Sequence, residues 1–213
     1  MNDKSFESLP EEKRKRIINA CIKEFALNGY ENASTNVIVK NAGISKGTLF
    51  YYFESKKNLF MYMFNYSAEY LIGKYLSNRS EQPSDLFDRL VWISMQKIKM
   101  VYQNPMMSRL TFKAIADMPK ELEKDLTEKY NELYTKYLPI IFSDGVDTSK
   151  FRKGVDSDKA IEIMMFCLDG VSHKFIKAYS KGKADEVFND LEELVEEFNK
   201  YVEILKYGIY GKR

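Results

Sequence analysis

Two short helical patterns joined through a glycine constrain this chain more than any other feature of its sequence. The first pattern ends at Ala42, and the second begins after Ser45. Gly43 suits the left-handed conformation that commonly follows the last residue of a helix. Ser45 is a residue type that caps a helix by accepting a hydrogen bond from the backbone. The sequence therefore predicts a helix-turn-helix over residues 34–53.

The apolar residues of this stretch fit two packed helices. Val37, Ile38 and Ala42 are expected to form the buried side of the first helix. Leu49 and Phe53, four residues apart, are expected to form that of the second. Each helix therefore has a face to bury against the rest of its domain.

The first residues of the predicted helices are unusual for helices that only pack. Gly47 destabilises a helix, so its place in a first turn indicates a close approach to the backbone. Lys46 and Lys56 would follow the caps Ser45 and Ser55, where a cation opposes the helix dipole by about 0.3 to 1 kcal/mol. A bound anion would offset this cost, and the free N–H groups of a helix start bind phosphate. The pattern predicts contact with a phosphate backbone.

The charge distribution also favours a nucleic-acid partner. The formal charge of the 213-residue chain is only +2. Residues 13–60, however, contain nine Lys or Arg against three Asp or Glu, a balance of +6, and the remainder carries −4. Positive charge is therefore concentrated at the helix-turn-helix, as DNA binding requires.

This stretch resembles the N-terminal DNA-binding domain of TetR/AcrR-type transcriptional regulators, over residues 11–71. The resemblance rests on residues 42–53 and 55–59, preceded at fixed spacing by Phe25, Gly29 and Tyr30. Two residues depart from the family pattern. Phe50 replaces a common tyrosine, which removes one hydroxyl from the phosphate contacts. Val39 replaces a usual alanine, which implies slightly different packing.

The resemblance implies a DNA-contacting role for residues that match the family motif. They are Thr35, Ser45, Lys46, Gly47, Thr48, Tyr51, Tyr52 and Lys56. Thr48, Tyr51 and Tyr52 are expected to read or line the major groove of a double-stranded operator. The others are expected to fix the register of the protein on phosphates.

Helical periodicity continues along the rest of the chain, with no strand signal and no internal repeat. We therefore expect an all-α fold of about nine helices. Residues 1–55 would form the N-terminal three-helix DNA-binding domain, and 56–213 a C-terminal regulatory, ligand-binding and dimerisation domain. Ser8 is expected to open a capping box for the first helix, Gly29 to end that helix, and Pro139 to kink or end the seventh.

The last two predicted helices carry more apolar surface than a single-chain bundle of this size needs. The eighth spans about residues 157–180, and the ninth repeats apolar residues at spacings of three and four over 188–205. We expect a homodimer through these two helices, and the resemblance implies the same. A two-fold dimer would place two reading heads about 34 to 36 Å apart, or a modest multiple, on a palindromic operator.

Methionines and aromatic residues of the predicted helices 4 to 8 are suited to line an adaptable apolar pocket. An ordinary helical core is the alternative for any one of them. The candidates are Met63, Trp92, Met95, Phe112, Tyr130, Tyr134, Met165, Asp169 and His173. The expected function is a repressor that a small, largely apolar effector releases from DNA. A DNA-binding regulator without a ligand, and a helical small-molecule-binding protein or enzyme, remain alternatives.

Catalysis has little support in the sequence. His173, the one histidine, follows Asp169 by one helical turn, and no third partner can be named. No metal-ligand spacing, phosphate loop or nucleophile elbow is present. Cys21 and Cys167 each fall in an apolar run, so we expect both to be buried free thiols in a reducing cytoplasm. Since no stretch is apolar enough to enter a membrane, we expect a cytoplasmic protein without enzyme activity, cofactor, metal or membrane partner.

Overall fold

The structure, a computed structural model, describes residues 6–178 and 191–207. Its α-helices are, in chain order, α1 (Glu11–Asn32), α2 (Thr35–Ala42), α3 (Lys46–Phe53), α4 (Lys56–Ser77), α5 (Leu86–Gln103), α6 (Pro105–Ala116), α7 (Glu123–Phe142), α8 (Ser157–Ala178) and α9 (Leu191–Tyr207). Short 3-10 helices lie at Phe6–Ser8, Arg79–Glu81 and Thr148–Lys150. The described ranges contain no strand, and the predicted all-α fold is confirmed. None of these helices is long and apolar enough to cross a bilayer.

The chain forms two compact units. The first unit consists of Met1–Lys74 and Asn104–Lys129, and the second of Tyr75–Gln103 and Tyr130–Arg213. Compactness therefore groups α6 and most of α4 with the three N-terminal helices. The predicted division at residue 55 concerns function, and it stays a prediction.

The core of the first unit lies among α1, α2, α3, α4, α6 and the first turns of α7. Helix α1 packs against both α2 and α6. The largest fully buried side chains of this core are Ile17, Phe25, Ile38, Leu49, Leu59, Phe60, Met63, Leu110, Leu122 and Leu126. The predicted burial of Ile38, Ala42, Leu49 and Phe53 is confirmed. That of Val37 is wrong, because this side chain turns outward from α2 and is 40% exposed.

The second unit has its own core, in which α5 packs against α9. Leu90 and Ile93 of α5 meet side chains of α7, α8 and α9 there. The other buried members are Tyr75, Leu86, Phe142, Ile161, Met164, Phe198 and Val202. Free thiols divide between the units: Cys21 is buried in the first, whereas Cys167 in the second is only half-buried, so its predicted burial is wrong.

Several helix ends differ from their predicted positions. Pro10, not Ser8, precedes α1, and no side chain caps that helix, so the predicted capping box is wrong. Gly29 adopts φ 69° and interrupts α1, but helical turns resume and run to Asn32. Helix α7 does not end at Pro139. It continues to Phe142, because the Pro139 carbonyl still accepts a hydrogen bond from Ser143 N at 2.9 Å.

Candidate nucleic-acid interface

The turn between α2 and α3 has the predicted geometry. Ser34 caps α2 and accepts a hydrogen bond from Val37 N at 3.4 Å. Gly43 follows α2 in the left-handed conformation, with φ 65° and ψ 42°. Ser45 then caps α3 by accepting from Thr48 N at 3.0 Å. These local bonds set the angle at which α3 leaves α2.

The start of α3 is accessible from outside the protein. Ser45, Lys46 and Gly47 are exposed, and a Cβ added at Gly47 would meet only the Ser45 Oγ at 3.7 Å. That is an ordinary contact, so the protein itself does not require glycine there. The half-buried Thr48 shares a hydrogen bond of 2.9 Å between its Oγ1 and the Ser45 Oγ. The open space beside Gly47 suits a group that approaches from outside.

The two predicted major-groove tyrosines lie in different environments. Tyr51 is 50% exposed on the outer face of α3. Tyr52 is half-buried and lies edge-on between Tyr51, at 5.1 Å between ring centroids, and Phe6, at 5.7 Å. Tyr51 therefore offers its ring and hydroxyl to a partner, whereas part of Tyr52 supports the interior.

The ammonium groups of Lys46 and Lys56 have different surroundings. Lys46 Nζ lies 6.0 Å from the ring centroid of Phe50. Lys56 Nζ donates to the main-chain oxygen of Glu31 at 3.0 Å and lies 5.1 Å from the Tyr30 ring centroid. The Glu31 carbonyl at the negative end of α1 thus offsets the unfavourable interaction between the Lys56 cation and the positive end of α4. Lys56 does not need a phosphate to explain its place, and its DNA contact stays a prediction.

A buried carboxylate positions the start of α2. Glu24 on α1 is buried, and its Oε1 accepts a hydrogen bond from Ser34 N at 2.9 Å. The half-buried Thr35, predicted to contact phosphate, is the next residue. Sequence reasoning missed Glu24, although an acid in the apolar run that ends at Phe25 and Ala26 was a signal for it.

Polar side chains connect the end of α1 and the start of α4 to the turn before α7 and to the first turn of α7. Lys57 Nζ lies 2.7 Å from Asp125 Oδ2, and this bond raises the pKa of Lys57 and lowers the pKa of Asp125. Tyr30 Oη donates to Glu121 Oε2 at 2.8 Å. Burial and that bond raise the pKa of Tyr30, so the hydroxyl keeps its proton at neutral pH. These bonds tie the end of α1 and the start of α4, which flank the helix-turn-helix, to the α6–α7 turn and the first turn of α7 within the first unit.

The nine predicted pocket residues fall in both units. In the first, Met63 is fully buried in the core and Phe112 is half-buried. In the second, Trp92 and Met165 pack partly against the core, and the others with described side chains are exposed. The exposed ones are Met95, Tyr130 and Tyr134. Asp169 and His173 belong to α8, but their side chains lie outside the described residues. An ordinary core role explains Met63, and the pocket stays a prediction.

A small cleft does occur in the first unit, and none of the predicted pocket residues lines it. It lies between α1, α4 and α6, is partly open to solvent, and has room for about one water molecule. Its lining includes Phe25, Tyr30, Phe60 and Leu110. Within the described ranges, no three His, Cys, Asp or Glu side chains are grouped to hold a metal ion.

Comparison with known proteins yields two family models that match the chain. The model described as "Bacterial regulatory proteins, tetR family" matches residues 17–63. The model described as "Tetracyclin repressor-like, C-terminal domain" matches residues 84–210, more than half of the chain. The two matched segments thus include the helix-turn-helix and most of the second unit.

One relative and two solved structures have low sequence identity to this chain, but the similarity covers nearly the whole length of both chains in each comparison. The fatty acid metabolism regulator protein of Bacillus subtilis (strain 168) is 22% identical over 204 residues, 92% of this chain and 95% of the relative. The crystal structure of FadR from Bacillus subtilis in complex with stearoyl-CoA has a TM-score of 0.63 and 21% identity, over 92% of this chain and 99% of that one. The fatty acid degradation regulator FadR from Bacillus halodurans has a TM-score of 0.64 and 19% identity, over 96% and 100%. The structural similarities establish a shared fold.

Proposed function

Since this chain belongs to the tetR family of bacterial regulatory proteins, we propose that it is a repressor released from a palindromic operator by a small, largely apolar effector. The outer surface of α3 is the observation that carries this proposal. It combines the half-exposed Tyr51 with an accessible helix start beside Gly47. A site of this kind receives a phosphate at the helix start and base edges along the helix. Such a regulator acts on the chromosome in the cytoplasm and needs no catalytic activity.

The proposed DNA contacts divide by role. Thr48, Tyr51 and Tyr52 read or line the major groove, and Tyr51 has the greatest access to it. Phosphate contacts come from Lys46 and Lys56 and from the remaining residues at the starts of α2 and α3. Those remaining residues are Thr35, Ser45 and the main chain of Gly47. The Lys56 ammonium has three N–H donors, of which one bonds the Glu31 carbonyl, so another can donate to a phosphate.

A homodimer through α8 and α9 presents two such surfaces to the operator. The support comes from apolar side chains that these helices leave exposed in the second unit. They are Ile163 and Phe166 on α8, and Tyr201, Ile204 and Tyr207 on α9. Members of each helix recur at spacings of three, so they share one side of it. A second copy of the chain covers this surface in the proposed dimer.

A fatty acyl chain is the effector class that the comparisons favour. The Bacillus subtilis relative is named for fatty acid metabolism, and a solved structure of the same fold contains stearoyl-CoA. Helix α4 offers a path for the signal. It starts at Lys56, and its Leu59, Phe60 and Met63 are fully buried in the first core. A roughly hundredfold preference of the effector for the non-binding conformation supplies about 2.7 kcal/mol of coupling.

The test begins with a selection from random-sequence duplexes by the full-length protein. Enrichment of a palindrome, bound in a salt-dependent manner by a sedimenting dimer, is the expected result. Stearoyl-CoA should then weaken operator binding about a hundredfold, and free coenzyme A should not. No enrichment would contradict the DNA-binding proposal. If a palindrome is enriched but its affinity does not change with acyl-CoAs or with a broad panel of apolar compounds, the alternative of a regulator without a ligand would be favoured.

A further inference from the structure

The turn that precedes α1 is attached to two helices of the first unit. Phe6 begins this turn and is 4% exposed. Tyr62 on α4 donates a hydrogen bond from its Oη to Glu7 Oε1 at 2.8 Å. Arg14 on α1 donates from Nη1 to the main-chain oxygen of Glu7 at 2.7 Å. Burial and the bond to Glu7 raise the pKa of Tyr62, so this donor keeps its proton at neutral pH.

Phe6 also contacts the last turn of α3. Its ring centroid lies 5.7 Å from that of Tyr52 and 4.9 Å from that of Phe53. Adjacent residues of an α-helix point about 100° apart, so a single ring that touches both restricts rotation of the helix about its axis. Aromatic pairs of this kind contribute about 0.5 to 1.5 kcal/mol beyond their buried area.

Helix α3 is short, and besides Phe6 the ring of Tyr62 on α4 contacts its Phe53, at 5.3 Å between ring centroids. It has eight residues, of which only Leu49 and Phe53 are buried. A helix of this length owes its stability to packing rather than to its own hydrogen bonds. Its exposed Tyr51 lies edge-on to Tyr52 at 5.1 Å. Ring contacts therefore run without a break from Phe6 through Tyr52 to Tyr51.

We propose that Phe6 is a positioning residue for DNA recognition, which sets the rotation of α3 and, through Tyr52, the orientation of the Tyr51 ring. The inference rests on the proposed function, since it presupposes that α3 reads DNA. Phe6 is buried and adds no phosphate contact of its own. Its loss should therefore reduce discrimination between sequences more than it reduces general affinity for DNA, because base contacts specify and phosphate contacts do not.

The experiment compares wild type with Phe6→Leu, which keeps an apolar side chain in the site but removes the ring. The probes are the duplex that the wild-type chain selects from a random library and the same duplex with one base pair changed in each half-site. Phe6→Leu should bind the selected duplex about tenfold more weakly and the altered duplex almost as wild type does. The slope of affinity against salt should not change, because the number of phosphate contacts is the same.

Phe25→Leu is the matched control. Phe25 is fully buried in the same unit, and its ring contacts Phe60 on α4 at 5.0 Å. This variant should lower the melting temperature to a similar degree and retain discrimination. An equal loss of discrimination in Phe25→Leu would overturn the inference, because the effect would then be general destabilisation. Full discrimination by a folded Phe6→Leu would overturn it as well.

Tyr62→Phe provides a milder second variant. It keeps the ring near Phe6 and removes only the hydrogen bond to Glu7, so discrimination should fall about two- to threefold. If Phe6→Leu does not fold, this variant decides the matter, and unchanged discrimination overturns the inference. A wild-type chain that selects no duplex would contradict the proposed function instead.

Discussion

Two exposed surfaces of this chain differ in the chemistry of their side chains. On α3, the half-exposed Tyr51 combines an aromatic ring with a hydroxyl group. Lys56 follows at the start of the next helix, α4. On α8 and α9, Ile163 is 52% exposed, Phe166 66% and Ile204 49%, and none of these side chains has a polar atom. The difference suits the two proposed partners: an anionic duplex for α3, and a second copy of the chain for α8 and α9.

The largest effect should come from a charge on the apolar surface. Phe166→Glu should convert the dimer to a monomer at micromolar concentration, because an unpaired carboxylate would be buried in the interface. A single reading head loses the advantage of bivalent binding, so operator affinity should fall about a thousandfold. Sedimentation velocity and a gel-shift titration measure the two effects.

Tyr102→Glu is the control for that prediction. Tyr102 on α5 is 62% exposed, almost as much as Phe166, but it lies on neither α8 nor α9. The variant should remain a dimer and bind the operator as wild type does. A dimer that survives Phe166→Glu, or is lost in Tyr102→Glu, would remove the distinction between the two surfaces.

The second prediction concerns the interior of the second unit. Arg89 of α5 is buried and donates hydrogen bonds to the main-chain oxygens of Pro83, Phe142 and Asp144, at 2.7, 3.3 and 2.8 Å. Arg89→Met would leave these acceptors without the guanidinium and lower the free energy of unfolding by about 3 kcal/mol. The fluorescence of Trp92, the only tryptophan, reports this unfolding within the second unit.

Arg79→Met tests whether burial causes that loss. Arg79 forms an ion pair with Asp144, and the two side chains are 42% and 60% exposed. Exposed pairs contribute about 0 to 1 kcal/mol, so this variant should change the free energy of unfolding very little. Equal losses in both variants would mean that the Asp144 loop, rather than the buried guanidinium, determines the stability.

The third prediction concerns the polar surface itself. Tyr51→Ala should weaken binding to the selected operator by about 1 to 3 kcal/mol through a lost base contact, and Thr48→Ala should alter base preference at one position. Neither change touches α8 or α9, so both variants should sediment as dimers. Operator binding that is indifferent to Tyr51→Ala would show that α3 does not read DNA through this residue.

The smallest effects are expected from single phosphate contacts. Lys46→Ala and Lys56→Ala should each weaken binding to all sequences alike and lower the salt slope by about one unit. Lys124→Ala on α7 should do neither, since its exposed side chain pairs with Glu128 one turn away. An unchanged slope in Lys56→Ala would indicate that Lys56 makes no phosphate contact and serves only to bond the Glu31 carbonyl.

The helix-turn-helix could be predicted from the sequence because its signals are local. Gly43 and Ser45 act within four residues of themselves, through a left-handed backbone conformation and one cap bond. The apolar spacing of Leu49 and Phe53 likewise needs only one helical turn to define a buried face. The same local rules failed at Ser8, where Pro10 took the position before α1 and no cap bond formed.

The predicted pocket residues show that local sequence patterns do not predict which side chains line a cavity. A methionine in an apolar helix fits a cavity wall or a filled core equally well, and only packing distinguishes the two. Met63 proved to be fully buried, whereas Met95 is half exposed. The spacing of these residues along the chain carried no information about either outcome, because burial depends on which other helices lie against each face.

The sequence by itself determined the helical fold, the helix-turn-helix and the family to which this chain belongs, because each depends on residues within a few turns of one another. Tertiary structure decided which distant residues hold the helices of each unit together. Phe6 meets Tyr52, Lys56 meets the carbonyl of Glu31, and Arg89 meets that of Asp144, across 25 to 55 residues for the two hydrogen bonds. No periodicity encodes such partners, since they meet only after the helices have packed.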